Sequence, residues 1–199
     1  IFLDHVQLTK RSWQVRNRIR TSRDEKLWLT LPVKKHELNT NLNDIKISDD
    51  KRLINKILNS FKHHYSKSEF FIEAFDLIEK NIHKENLTQI TSGIIEDVKF
   101  CAGISTPIFK SSELKIESPN REQRLVDIIN YFECKHYISP VGSGNYLELE
   151  ESKTLFNENE IKIEYLHFEH PKYPQNGNSF ISQLGIVDCI ANIGYQNLL

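Results

Sequence analysis

The hydrophobic pattern changes character several times along the chain. Ile1 to Val6 form a nearly continuous apolar run interrupted only by Asp4 and His5, the pattern of a short buried strand in a parallel sheet. From Trp13 the pattern becomes strict alternation. Trp13, Val15, Asn17 and Ile19 fall on one face, and Gln14, Arg16, Arg18 and Arg20 on the other. A second alternating run sets Leu27, Leu29, Leu31 and Val33 opposite Trp28 and Thr30, with the polar "TSRDEK" between the two runs. Residues 13–33 are therefore expected to form a β-hairpin.

Helical spacing takes over after a polar stretch, with "SDDK" as a start signal. Leu53, Ile54, Ile57, Leu58 and Phe61 mark one amphipathic helix reaching Tyr65, and Phe70, Phe71, Ala74, Phe75 and Ile78 a second. Leu87, Ile90, Ile94, Ile95 and Val98 mark a third that ends near Gly103. Strand and helix then alternate: "TPIFKSS" as strand, "NREQRLVDIINYF" as helix, "HYISP" as strand, "LEESKTLFNEN" as helix and "IKIEYLHF" as strand. "FISQLGIVDCIANIG" reads as a final helix closed by Gly194. This order predicts an α/β fold, a Rossmann-like, mostly parallel sheet with an inserted β-hairpin and a helical block in the middle. Residues 1–199 are expected to form a single domain, with 50–103 as a helical insertion within it.

Composition narrows the function. The 199 residues carry 26 basic and 27 acidic side chains, a formal net charge of −1, which argues against coating nucleic acid or anionic membrane with the whole surface. No apolar run is long enough to span a bilayer, so membrane insertion is not expected. Cys101, Cys134 and Cys189 lie far apart in apolar stretches. None forms a metal or disulfide spacing, and an odd number fits a reducing cytoplasm. They read as small core hydrophobes, with Cys101, beside the Gly103 helix end, the one worth testing as a nucleophile. The chain contains no Met and starts inside an apolar run. Both features predict a further segment before Ile1 and leave room for residues omitted elsewhere.

Local chemistry concentrates in a few places. Arg16 and Arg18 share one strand face with Arg20, and almost no acid stands between Val6 and Arg23. Packed like charges repel unless an anion bridges them, and arginine forks match phosphate or carboxylate geometry. Gln7, Lys10, Arg11, Arg16, Asn17 and Arg18 are therefore candidate anion ligands. Asp4 beside this cluster should stay ionised, while His5 or His170 could move a proton.

Strand ends in an open α/β sheet would gather these residues with two later loops. In "SPVGSGNYL", Ser139, Gly142, Ser143 and Gly144 could cradle phosphate or simply turn the chain. In "HPKYPQ", Pro171 and Pro174 could present His170, Tyr173 and Gln175 rigidly or only brace a surface loop. His167 and His170 lack a third ligand at metal spacing, so no metal is expected.

The segments "FLDHVQLTKRSWQVRNRI", "WLTLPV", "YISPVGSGNYL", "YLHFEHPKYPQ" and "IVDCIANIG" occur in this order. Together they resemble the WbqC-like family of bacterial proteins, associated with O-antigen and other surface-polysaccharide loci. The resemblance runs from Ile1 almost to Leu199, and it implies an additional N-terminal strand and helix carrying a Gln-Pro motif. It also implies a cytoplasmic enzyme acting on a nucleotide-linked sugar, such as a transferase that adds an acyl or aminoacyl group to an amino sugar. In that setting the arginines would hold the diphosphate. Asp4, His5 or His170 would act as base, and backbone donors near Gly142 and Gly144 would stabilise an oxyanion. The partners implied are a nucleotide sugar and an activated acyl or aminoacyl donor, with no other cofactor. A nucleotidyltransferase using a nucleoside triphosphate and divalent metal, and a non-catalytic sugar-nucleotide or partner-binding module, remain as alternatives. Nucleic-acid binding is the weakest reading, because Trp13 and Trp28 sit in strand patterns that suit a core.

Overall fold

A computed structural model describes residues 1–9 and 12–199, so the anion-site candidates Lys10 and Arg11 lie outside the described residues. The chain forms two compact units, one of Phe2–Ile108 with His170–Leu199, the other of Phe109–Glu169 with Ile1.

In the larger unit, the alternating runs form a hairpin of β1 (Arg16–Arg20) and β2 (Lys26–Thr30). The strands are antiparallel, with Arg16 opposite Thr30, Arg18 opposite Trp28 and Arg20 opposite Lys26. The connection closes where the Thr21 N–H donates to the Glu25 carbonyl at 2.8 Å. Asp24 adopts a positive φ of 63° in this turn.

Three helices follow. The first is α1 (Lys51–Tyr65), whose N-cap Asp50 accepts from the Arg52 N–H and whose Ile54, Leu58, Phe61 and Tyr65 are buried. These positions recur at three- and four-residue steps and so share one face. Next comes α2 (Phe71–Ile82). The third, α3 (Leu87–Cys101), starts from a capping box of Asn86 and Gln89. Ile19 of the hairpin and buried residues of all three helices join one core with Ile45, Ile47, Ile190 and Ala191. The last two come from the C-terminal helix α7 (Ile186–Ile193), which packs on α2 and β1.

The smaller unit is a compact βαβ arrangement. After α4 (Arg121–Tyr131), β3 (His136–Pro140) leads through a 3₁₀ turn at 141–143 into the short α5 (Gly144–Leu147). Then α6 (Glu150–Glu158) crosses to β4 (Lys162–Leu166), which pairs parallel to β3. Leu125, Val126, Ile129, Leu147, Phe156 and Ile161 form its core.

The protein is thus mixed α/β, but the expected broad Rossmann-like sheet is not present among the described residues, whose sheets have two strands each. Three expected elements account for the difference. Residues 1–6 form no strand. Their apolar members Ile1 and Leu3 are 52% and 37% exposed while Asp4 is 4% exposed, the inverse of a core strand. "TPIFKSS" ends in a 3₁₀ turn at Ser111–Glu113 rather than a strand, and Pro107 within it has no N–H to give a ladder. The last helix starts at Ile186 instead of Phe180, because the preceding segment is committed elsewhere. The Gly185 N–H donates to the Arg18 carbonyl at 2.7 Å, which fixes the chain against β1 before the helix begins. Gly194, at φ 73°, ends α7 as expected.

Candidate functional site

Because side chains alternate along a strand, β1 turns Arg16 and Arg18 to one side and Ile19 to the core. Trp28 stands opposite Arg18 on the same face of β2. The Arg16 guanidinium carbon lies 4.1 Å from the centre of the Trp28 ring. That of Arg18 lies 4.5 Å from Trp13 and 5.2 Å from Trp28. The two indoles are themselves 4.7 Å apart, tilted by 57°. Trp13 was expected on the opposite face with Val15. It precedes the first strand residue, Arg16, so the alternation does not extend back to it and its ring joins the arginines instead.

Neither guanidinium is paired with a carboxylate among the described residues. Arg18 donates through Nε to the Gln183 carbonyl and through Nη2 to Gln183 Oε1, both at 3.1 Å. The Nε of Arg16 is buried without a hydrogen-bond partner. Between them, Asn17 is exposed, its Oδ1 accepting from the Arg18 N–H at 2.8 Å. The arrangement is cationic, aromatic and open to solvent, with its forks oriented by stacking.

Arg20, on the same strand face, has a different fate. It is 4% exposed. Its Nε and Nη2 donate to Asp24 Oδ1 at 3.1 and 2.7 Å, and Nη1 donates to Gln175 Oε1 at 3.0 Å and the Ser179 carbonyl at 2.6 Å. Asp24 lies one residue beyond the acid-poor stretch, and the hairpin turn brings it back onto Arg20. Those hydrogen bonds, with one from the Asn178 N–H, hold the Asp24 carboxyl below its ordinary range. Gly177, at φ 121°, passes directly over this pair, where a Cβ would collide with Arg20 Nη2 and Asp24 Oδ1.

From Arg20 a buried polar network runs to α7. The Arg20 N–H donates to the Tyr65 hydroxyl at 2.8 Å, and that hydroxyl donates to Asp188 Oδ1 at 2.5 Å. Tyr173 and Gln175 donate to Asp188 Oδ2 at 2.6 and 3.0 Å. Gln175 also donates to the Ile181 carbonyl at 3.0 Å and accepts from the Ile181 N–H at 2.8 Å. Burial pushes the Asp188 carboxyl up, against the donors that favour its charged form. Burial and this neighbouring carboxylate push both phenols far up, so both remain proton donors. Fully buried, Asp188 organises the site rather than facing a ligand.

The other sequence candidates divide as follows. Tyr173 and Gln175 are brought together, as supports of Asp188 and Arg20. His170 stands beside them, its ring 6.1 Å from Tyr173 and 6.0 Å from Phe180. Asp4 is buried, and its segment is held where Leu42 and Asn43 donate backbone N–H groups to the carbonyls of Val6 and Asp4. The Nε2 of His5 is buried, and Gln7 bridges to Asn41. Ser139, Gly142, Ser143 and Gly144 belong to the smaller unit. There Ser139 is buried and Gly144 opens α5 with an ordinary helical φ of −55°. Of the three cysteines, expected in apolar patterns, Cys101 and Cys134 are exposed. Half-buried Cys189 has its thiol pushed up to about 11 by burial.

Sequence reading missed Asp188, Tyr65 and Gln183. Asp188 did carry a signal: it is a lone acid in the apolar helix "IVDCIANI", and a buried carboxylate needs dedicated partners. Gln183 carried none, because its role depends on the irregular segment before α7.

The WbqC-like protein family matches residues 1–198. Uncharacterized protein Rv1507c of Mycobacterium tuberculosis (strain ATCC 25618 / H37Rv) is 24% identical over 201 residues, covering 98% of this chain and 84% of that protein. No solved structure matches.

Proposed function

This chain belongs to the WbqC-like protein family, and from that premise we propose that it is a cytoplasmic transferase of bacterial surface-polysaccharide biosynthesis. Its substrate is a nucleotide-linked amino sugar, to which it adds an acyl or aminoacyl group from an activated donor. The sugar amine attacks the donor carbonyl, the new N–C bond forms as the carbonyl–leaving-group bond breaks, and the leaving group departs with its electron pair. The amine proton passes to a base drawn from Asp4, His5 and His170. Arg16 and Arg18 hold the diphosphate, with Gln7, earlier in the same N-terminal stretch, as a further polar ligand.

The observation that carries this reading is the pair Arg16 and Arg18. Two guanidiniums stand side by side on β1, stacked on indoles and without a carboxylate partner among the described residues. Charge-assisted bonds to an anion are the interaction such forks are built to make. The buried Arg20–Gln175–Asp188 network supports it by anchoring the C-terminal end of the same strand.

Isothermal titration with UDP-linked amino sugars, followed by mass spectrometry for the amide product, tests the reading. Arg16→Ala is expected to weaken nucleotide-sugar binding at least tenfold, about 1.4 kcal/mol, and Arg16→Lys to recover only part of it, since a lysine cannot make the planar fork. Failure of the full-length protein to bind any nucleotide sugar or activated acyl donor overturns the reading. Binding without turnover identifies a sugar-nucleotide-binding module instead.

A further inference from the structure

Tryptophan is seldom left as open to water as it is here. Trp13 is 56% exposed and Trp28 37%, at the one place where two arginines lack carboxylate partners among the described residues. The cluster alternates planar groups: Arg16 over Trp28, and Arg18 over Trp28 and Trp13, at centroid distances of 4.1, 5.2 and 4.5 Å. Such a ladder has a cationic part suited to phosphate and an open indole surface suited to a flat ring. A phosphate alone would use the arginines and leave the indoles without a purpose in solvent. A ligand with both an anionic and a planar aromatic part would use all four residues, because a base stacks on an indole through its π-face whatever its sequence identity.

We propose that Trp13 and Trp28 form a stacking platform for the nucleobase of the ligand, while Arg16 and Arg18 take its phosphates. This rests on the anion-site reading above and adds to it. The site recognises the nucleotide half of the substrate, so a sugar phosphate lacking a base is bound weakly. Arg18 has a double duty. Its Nε and Nη2 bonds to Gln183 hold the guanidinium over the Trp13 ring, so it helps to fix where the indole is presented. The exposed Trp13 is the outer layer on which the base lies. Half-exposed guanidiniums stacked in this way lose little freedom when they bind, which favours recognition by preorganisation.

These 199 residues contain two tryptophans, and both are in this cluster, so their emission reports on the platform. Emission and heat are followed together while the full-length protein is titrated with UDP, GDP, inorganic pyrophosphate and N-acetylglucosamine 1-phosphate. At least one nucleoside diphosphate should quench emission and bind at least tenfold more tightly than pyrophosphate. Trp13→Ala should abolish that advantage, whereas Trp13→Phe should retain most of it. Equal affinity for nucleoside diphosphate and pyrophosphate, with Trp13→Ala harmless, overturns the platform and leaves the anion site standing. Trp13-dependent quenching by the sugar phosphate as strong as by the nucleotides also overturns it, by making the platform a pyranose surface. If pyrophosphate, sugar phosphate and nucleotides all fail to bind, the anion site and the platform fall together.

Discussion

Arg16, Arg18 and Arg20 carry the same charge on the same strand face, yet only the first two remain available to a ligand. What separates them is the segment that covers the third. Gln175, Ser179 and Asp24 engage all three nitrogens of the Arg20 guanidinium, and Gly177 closes over it. Gly177→Ala is therefore expected to cost about 1–3 kcal/mol, the scale of a strained backbone site, because its new methyl group and the Arg20–Asp24 pair cannot both keep their places. Gly142→Ala serves as the contrast. Nothing lies within 4 Å of its added carbon, so its stability should stay within about 0.5 kcal/mol of the parent. Urea unfolding of the two variants checks both. If Gly177→Ala unfolds like the parent, the close packing over Arg20 is not structural. The cluster of arginines was legible in the sequence. Which of them a loop more than a hundred and fifty residues away would consume was not, as the Arg20–Gln175 and Arg20–Ser179 separations of 155 and 159 residues make plain.

Elements with a local cause were the best predicted. The hairpin follows from alternation, α1 and α3 from apolar spacing behind Asp50 and Asn86 caps, and the end of α7 from Gly194. How elements are tied together depends on contacts no periodicity records. One such tie joins the hairpin turn to α1, where the Ser22 N–H donates to His64 Nδ1 at 3.2 Å. Only an unprotonated Nδ1 can accept. Burial, and then the neighbouring His63, hold the His64 pKa below its ordinary 6.5. The unfolded chain therefore binds this proton more readily than the folded one, and stability falls as pH drops below about 6.5, towards the lower folded value. Thermal midpoints measured between pH 7.5 and 5 should show that decline in the parent. His64→Gln, which still offers an acceptor but does not titrate, should have a flatter profile. An unchanged slope in the variant would assign the decline to other groups.

At the scale of the whole molecule, the two compact units have cores of unequal extent. The larger unites the hairpin, α1 to α3 and α7, while the smaller rests on Leu125, Val126, Ile129, Leu147, Phe156 and Ile161. Opening free energy scales with the apolar contacts that must be broken. Backbone amides of β3, α6 and β4 are expected to exchange with solvent before those of α1, α2 and α3. Native-state hydrogen exchange read by mass spectrometry checks this order, and simultaneous protection of both units would show one cooperative body. The expectation of a broad parallel sheet fails at this scale because strand membership is a long-range property. Residues 1–6 and "TPIFKSS" have strand-like composition, but a ladder needs a partner edge that local pattern cannot supply. By itself, the sequence determined the family, the hairpin, the helical block, the βαβ turn of the smaller unit and the row of three arginines on one strand face. Each of these depends on residue type and on neighbours a few positions away. Only the tertiary structure decided that Trp13 joins the arginines, that Arg20 is withdrawn from them and that Asp188 is the buried centre of the site. Those outcomes require side chains from opposite ends of the chain to compete for the same hydrogen bonds and the same space.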